Sequence, residues 1–538
     1  MRSVGPARFW AAVIFLNAVL GLRFPERVPW LAYFKPSLDT VLLLVVCALL
    51  GAWQQRLPAA VRGILVSLFL ACRVLRIADG VEQGAYLRDF NCSIDLPLLP
   101  EFVRLFYATL SLPVFLLAVA VLALLLVGLG FVIARALRVV LAGFCAPGQS
   151  HTRALSVLLG LLALASPVVR PRAVFADSVL LRFGSEARFA ARLPSYRAAA
   201  QARIARVQRE LGARPNDLQK LRQRSVYLFV IESYGQAVLD RPELLRRVLP
   251  EYVRFEAELG RHGFQIASRV LDSPTYGGRS WLAQATLLTS VNTEDQLQLE
   301  LLRAAQPRSL AQAFRAAGYR TVLIQPGTVR ESTEPDLFHF EQHYFARELG
   351  YAGPRFGWAT MPDQFLLDAV RHKELTSSQT QPLFLTYALV SSHIPWSDLP
   401  PLVQDWSKLG DGSEFQTLPH QHFPTNWLAL SRARDAYAEA IVYDLEVLRR
   451  YIVEFVRDDS LLIILGDHQP HSEVTSQSPE RGVPVHVLSR NRGFIAPFRA
   501  RGYTRGMVAD EALPRAGLDS LMLNLITDFS IGRAESSP

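Results

Sequence analysis

Cysteine is scarce in this sequence. Of 538 residues only four are cysteine, Cys47, Cys72, Cys92 and Cys145, and none follows position 145. The long C-terminal part therefore has no disulfide framework and no C-x-x-C metal or redox site, and it is compatible with an oxidising compartment. An excess of positive charge is missing from the same part. Residues 225–538 hold 30 Lys and Arg against 37 Asp and Glu, whereas residues 1–170 hold 15 against 7 and residues 171–224 hold 12 against 4. The net charge of +9 thus resides in the first 224 residues, and the mildly acidic remainder lacks the basic patch that a nucleic-acid-binding domain needs. Half of the residues are hydrophobic and the mean hydropathy is +0.18, which excludes a disordered chain and an ordinary cytosolic enzyme.

The apolar residues are concentrated in the first third, in stretches at Phe9–Leu22, Leu38–Trp53, Val61–Leu75, Phe106–Ile133 and Ala154–Val169. A bilayer core takes about 20 mostly apolar residues per helix, so residues 1–170 are expected to form an α-helical transmembrane bundle of about five spans. A signal peptide accounts for the first stretch alone, and Arg62, Arg73 and Arg76 make the third the weakest span. Loop charge places the N-terminus in the cytoplasm. Arg2, Arg8, Arg56, Arg62, Arg135, Arg138 and Arg153 then fall inside, and the acidic loop 77–103 falls outside, although Arg23, Arg27 and Lys35 in the first outer loop run against the rule. An odd number of spans leaves residues 171–538 outside the cytoplasm. Residues 171–224 read as a basic juxtamembrane helical connector. Phe175, Val179, Leu180, Phe183, Phe189 and Leu193 interleave with Arg172, Arg182, Arg188, Arg192 and Arg197, a pattern suited to an anionic lipid surface or, more simply, to a solvated linker helix.

From residue 225 onward the pattern changes. Apolar runs at Ser225–Glu232, Tyr319–Gln325, Leu383–Val390, Ser460–Leu465 and Val483–Leu488 read as buried strands, with helical patterns between them near 242–264, 280–290, 309–317, 362–373 and 428–457. That alternation predicts an α/β domain over 225–538 with a mostly parallel central sheet covered by helices. In such a sheet the functional groups lie beyond the carboxyl ends of the strands. The residues found there are Glu232 after the first run, His393 after the third, and Gly466-Asp467-His468 followed by His471 after the fourth. Carboxylates and an imidazole at strand ends are the donor set of a Zn or Mn site, although Glu232 also fits a helix cap and Asp467-His468 a loop turn.

Between the first two strands, Asp272–Ser290 supplies a hydroxyl. Gly277-Gly278 permits a tight turn and Ser280 falls at a helix start, where the helix dipole and a nearby divalent metal ease loss of its proton. Serine at a helix start is also the ordinary N-cap residue. Thr275 is the competing hydroxyl.

In chain order, Glu232, the Gly-flanked Ser280, His393 and Gly466-Asp467-His468 resemble the sulfatase-like branch of the alkaline phosphatase superfamily. With apolar spans in front, the chain is most similar to lipoteichoic acid synthases and to phosphoethanolamine and phosphoglycerol transferases of bacterial envelopes. The resemblance implies that Glu232, Ser280, Asp467 and His468 bind one divalent metal ion, Zn or Mn, with Ser280 also the nucleophile. It implies catalytic roles for His393 and His486, and substrate binding by Arg279, Trp358, Asp363 and His471. Threonine is the usual nucleophile in these families, and serine here preserves the hydroxyl. A sulfatase proper has C-x-P-x-R where this chain has Gly278-Arg279-Ser280-Trp281.

The implied activity is transfer of a phospholipid head group to an envelope glycan or lipid by a multi-pass protein of the bacterial inner membrane, with its catalytic domain on the outer side. Two other readings fit the same residues. One is a membrane-anchored sulfatase or phosphodiesterase with water as acceptor, and the other is a non-catalytic membrane protein with a degenerate domain.

Overall fold

The computed structural model describes residues 5–23, 35–52, 58–100, 103, 107, 110–145, 176–328, 336–375, 380–422, 433–456, 458–509 and 514–531. The chain forms two compact units, Met1–Ser195 and Tyr196–Pro538.

Four of the expected apolar stretches fall on helices of the first unit, at Pro6–Gly21, Leu38–Ala52, Ala59–Tyr86 and Leu112–Cys145. The fifth, Ala154–Val169, lies outside the described residues, as does Phe175. Among the described residues one helix, Leu112–Phe144, is long and apolar enough to cross a membrane. Its 33 residues make a rod of roughly 50 Å, and apolar side chains such as Leu124 and Val127 on it are more than 70% exposed. The helix Ala59–Tyr86 reaches 28 residues, but Arg62, Arg73, Arg76, Asp79 and Glu82 interrupt its apolar character. Pro6–Gly21 and Leu38–Leu50 are apolar and shorter.

The helix Val179–Gly212 occupies most of the expected connector, and the division between the two units falls within it. Asp39 receives its first amides, from Val179 at 2.6 Å and Leu180 at 3.3 Å, as a carboxylate does at the positive end of a helix. Arg188, Arg192 and Arg197 are exposed, as a lipid-facing or solvated row requires. Arg182 departs from that expectation. It pairs with Asp79 at 3.3 Å and Glu186 at 2.5 Å, so its charge is spent inside the first unit.

The second unit is built on an eight-stranded sheet in the order β10-β2-β9-β8-β1-β5-β3-β4. Its strands are β1 (Val226–Ile231), β2 (Gln265–Asp272), β3 (Arg320–Gln325), β4 (Gln342–Phe345), β5 (Leu383–Leu389), β8 (Leu461–Gly466), β9 (Gly482–Ser489) and β10 (Thr504–Arg505), while β6 (Asp398–Leu399) and β7 (Gln421–His422) form a separate hairpin. The five strands β8-β1-β5-β3-β4 run parallel, and β9, β2 and β10 complete the sheet in antiparallel pairs. Successive side chains of a strand point to opposite faces, and β1 shows the result. Tyr227, Phe229 and Ile231 join one buried cluster with the helices Pro242–Arg261, Asp363–Glu374 and Ala433–Phe455. Val226, Leu228 and Val230 join the other, with the helices Ser280–Thr289, Leu310–Ala316 and Asp519–Phe529. The mostly parallel, doubly covered sheet agrees with the sequence expectation.

Candidate functional site

The register of the central strands builds the site. Ile231 of β1 lies beside Gly466 of β8 on one side and Leu389 of β5 on the other, so the three chains leave the sheet together at its carboxyl edge. Glu232, Asp467 and the Ser391-Ser392-His393 turn are the next residues out. The approach is very close: a Cβ on Gly466 would stand 1.8 Å from the carbonyl oxygen of Tyr234, so only glycine lets the β8 loop lie against the β1 loop.

Ser280 reaches this edge from the turn that follows β2. Ser273 Oγ donates to the Asp467 carbonyl and the Gly277 amide donates to Gln469 O at 3.0 Å, pinning the turn to the β8 loop. Gly277 at φ 69° and Arg279 at φ 68° then reverse the chain, and Ser280 opens the helix Ser280–Thr289.

Four side chains converge. The ligand atoms of Glu232, Asp467 and His468 all lie within 4.8 Å of one another. Ser280 Oγ donates to Glu232 Oε2 at 2.8 Å and lies 3.2 Å from His468 Nε2, and the imidazole is 3.3 Å from Glu232 Oε1 and 3.5 Å from Asp467 Oδ2.

Their outer contacts aim them. The amides of Ser233 and His468 both donate to Asp467 Oδ1, at 2.8 and 2.7 Å, which leaves Oδ2 for the centre. His468 Nδ1 lies 2.8 Å from the Gln469 carbonyl, a contact that requires a proton on Nδ1 and turns Nε2 toward Glu232 and Ser280. Oriented carboxylates and an imidazole whose far nitrogen is held by a carbonyl fit a divalent cation, and this is the support that metal-ligating histidine ordinarily has. Among the described residues this is the one such cluster.

The charges agree with that use. Burial and the neighbouring Glu232 push the Asp467 carboxyl up to about 7. Burial disfavours charge on His468, yet Asp467 and Glu232 outweigh it and hold the imidazole up at about 9. Burial also works against the Glu232 carboxylate, but His468 and, further off, His393 more than offset it and its pKa is lowered. The cluster therefore retains positive charge beside its carboxylates at neutral pH, in the position a cation would take.

The remaining expected residues divide. His393 is half-buried at the rim, with Nδ1 2.6 Å from the Ile394 carbonyl, and the indole of Trp358 stacks on its ring at 5.5 Å and 12°. Trp358 is 59% exposed. Arg279 is half-buried next to Ser280, and His471 begins the short helix Ser472–Thr475, where its Nδ1 accepts the Glu473 amide at 3.3 Å. Thr275 is buried, and its hydroxyl meets Ser273 Oγ at 3.5 Å rather than the carboxylate cluster.

Two expectations are corrected. His486 is fully buried in the interior of β9, with Ser268 Oγ 2.7 Å from Nδ1 and Tyr234 OH 2.8 Å from Nε2. Both nitrogens are engaged and burial lowers its pKa to about 3, so it is a neutral core residue and not a proton donor to substrate. Asp363 is also fully buried. Its carboxylate accepts the amides of Val390 and Ser391, so it fixes the turn that carries His393 and does not face a head group.

The sequence reading missed Ser392 and Asp444. Ser392 Oγ donates to the Glu232 carbonyl at 2.7 Å, tying the β5 and β1 loops together. Asp444 is buried against Asp363 from the helix Ala433–Phe455, and burial together with that facing carboxyl pushes its pKa well above the usual range. The available signal was an acid inside the apolar run Ala440–Leu445.

Comparison with known proteins finds a family match over part of the chain. No curated protein sequence matches the chain. Similar solved structures include the lipoteichoic acid synthase LtaP from Listeria monocytogenes, at 14% identity over 57% of this chain and 72% of that one with a TM-score of 0.35. The phosphoglycerol transferase GacH from Streptococcus pyogenes, in complex with sn-glycerol-1-phosphate, gives 12% over 62% and 91% with a TM-score of 0.36. The periplasmic domain of EptC from Escherichia coli in complex with Zn gives 15% over 56% and 80% with a TM-score of 0.35. Residues 274–506, the span that holds Ser280, His393, Asp467 and His468, match the sulfatase family model.

Proposed function

We propose that the protein is a membrane-bound, divalent-metal-dependent transferase. It moves a phospholipid head group, phosphoethanolamine or phosphoglycerol, to an envelope glycan or lipid by way of a phosphoserine at Ser280. The observation that carries this reading is the position of Ser280 Oγ, at a helix N-terminus and within hydrogen-bond reach of both Glu232 and His468. Glu232, Ser280, Asp467 and His468 would hold one ion, and one imidazole with three oxygens suits Zn or Mn. Such an ion, when bound, supplies positive charge that neutralises the phosphate oxygens and eases ionisation of the serine hydroxyl.

The chain's own residues perform the remaining work. Ser280, its hydroxyl proton lost to solvent beforehand, attacks phosphorus through Oγ, the bond from phosphorus to the glyceride oxygen breaks, and diacylglycerol leaves with a proton from His393. In the second step the deprotonated His393 takes the proton of the acceptor hydroxyl as that oxygen displaces Ser280, whose Oγ departs again as the alkoxide. Trp358, stacked on His393, positions the ring and closes one wall. The apolar helix Leu112–Phe144 supports a location in the bacterial inner membrane, where a lipid donor is at hand, with the catalytic domain on the outer side.

A second reading, an anchored sulfatase or phosphodiesterase with water as acceptor, is favoured by the sulfatase match itself. Against a sulfatase proper stands Gly278-Arg279-Ser280-Trp281 in place of C-x-P-x-R. Intact-mass analysis after incubation with phosphatidylethanolamine or phosphatidylglycerol tests the proposal. A head-group adduct is expected on the wild type and none on Ser280→Ala, whereas unchanged lipid turnover by Ser280→Ala overturns it. Turnover that does not depend on any added acceptor identifies the hydrolase.

A further inference from the structure

A cleft of about 550 Å³ opens between the start of the helix Ser280–Thr289 and the carboxyl ends of β3 and β4. Its volume is that of a small-molecule site. Trp281, the residue that follows Ser280, lines it and is 46% exposed, and the indole N–H donates to Gln296 at 3.3 Å, which orients the ring. One helical turn further, Gln284 accepts from Gln325 Nε2 at 2.9 Å. That contact leaves the Gln284 amide hydrogens and one face of the Gln325 carbonyl for a ligand.

The charge in this cleft has the wrong sign for a phosphate. Asp336, Glu341 and Glu348 line it against Arg303 and His343, whose Nε2 lies 3.2 Å from Asp336 Oδ2. Asp336 stays ionised, because His343 and the amides of Phe338 and Phe340 more than offset its burial. An anionic phospholipid head group is repelled from such a surface, whereas a hydroxyl-rich neutral molecule finds carboxylate and amide partners and an aromatic ring to lie on.

We infer that this cleft is the acceptor subsite and that it takes a neutral saccharide, stacked on Trp281 and held by Gln284 and Gln325. The inference rests on the transferase reading above and specifies its second step. There the saccharide hydroxyl oxygen bonds to phosphorus, the bond between phosphorus and Ser280 Oγ breaks, and the hydroxyl proton passes to His393.

Two measurements on the full-length protein in lipid nanodiscs test it. In the first, gentiobiose and glucose 6-phosphate are titrated into the inactive Ser280→Ala protein, with and without Trp281→Ala or Gln325→Ala, and binding is read by calorimetry. Gentiobiose should bind, glucose 6-phosphate should bind at least about tenfold more weakly, and each added substitution should weaken gentiobiose about tenfold. In the second, head-group transfer from labelled phosphatidylglycerol to gentiobiose is followed. Trp281→Ala and Gln325→Ala should raise the KM for gentiobiose about tenfold with a smaller change in kcat.

Absence of gentiobiose binding, binding indifferent to both substitutions, or preference for the sugar phosphate would overturn the subsite. Saccharide binding that depends on Trp281 and Gln325, in a protein that forms no head-group adduct, upholds the subsite and overturns the transferase reading instead.

Discussion

Two imidazoles buried on adjoining strands of one sheet have opposite characters. His468 stands just beyond β8, at the carboxyl edge of the parallel block, between Glu232, Asp467 and Ser280. His486 lies inside β9, paired across the antiparallel seam with Ile464 and Ser268, and meets only hydroxyls. Both are almost wholly excluded from water. One is held up at about 9 and the other down at about 3, so burial alone does not set the charge of a histidine here; its carboxylate neighbours do. Their position in the sheet follows the same division. Strand ends can gather ligands from several chains, and strand interiors can only be packed.

The comparison can be broken most directly by removing each ring. His468→Ala takes away the one imidazole of the cluster. It should lower affinity for Zn or Mn by more than about 100-fold and abolish turnover while the domain stays folded, as read by metal titration and circular dichroism. His486→Leu should do the reverse. Losing two buried hydrogen bonds should cost about 2–3 kcal/mol in denaturant unfolding, with metal stoichiometry retained. Equal metal loss in both variants would erase the distinction.

A subtler difference lies in pH. The folded pKa of His486, about 3, is below its unfolded value of 6.5, so the unfolded chain binds the extra proton between those limits. Its contribution to stability is complete above pH 6.5 and is lost as pH falls toward 3, at up to about 1.4 kcal/mol per unit. The acid limb of the unfolding curve should therefore be shallower in His486→Leu than in the wild type. An unchanged limb would mean that the ring is not the buried neutral group described.

The same contrast explains what could be read from the sequence. β1, β5 and β8 are near-continuous apolar runs because both of their faces are covered, and such runs are legible. β2 was not, since Gln265, Ser268 and Arg269 interrupt its apolar pattern, yet pairing with β9 and β10 makes it a strand. Glu232, Ser280, Asp467 and His468 are singled out by strand-end position, by a glycine-flanked helix start and, decisively, by the resemblance of their order to the sulfatase-like pattern. The fold brings the four side chains together. His486 and Asp363 were misassigned because residue type reveals a capacity and not the partner. A hydroxyl on either side consumes one, and two backbone amides consume the other. Asp444 escaped notice because its partner Asp363 is brought to it only by tertiary packing.

The close approach at Gly466, where a Cβ would stand 1.8 Å from the Tyr234 carbonyl oxygen, has a practical consequence for anyone redesigning this fold. The carboxylate and imidazole that follow it can be exchanged for other ligands while the loop keeps its path, but an alanine at 466 would force the β8 loop off the β1 loop. A ligand set grafted from this chain onto another sheet must bring that glycine along. Without it, chemically correct side chains would arrive at incorrect distances.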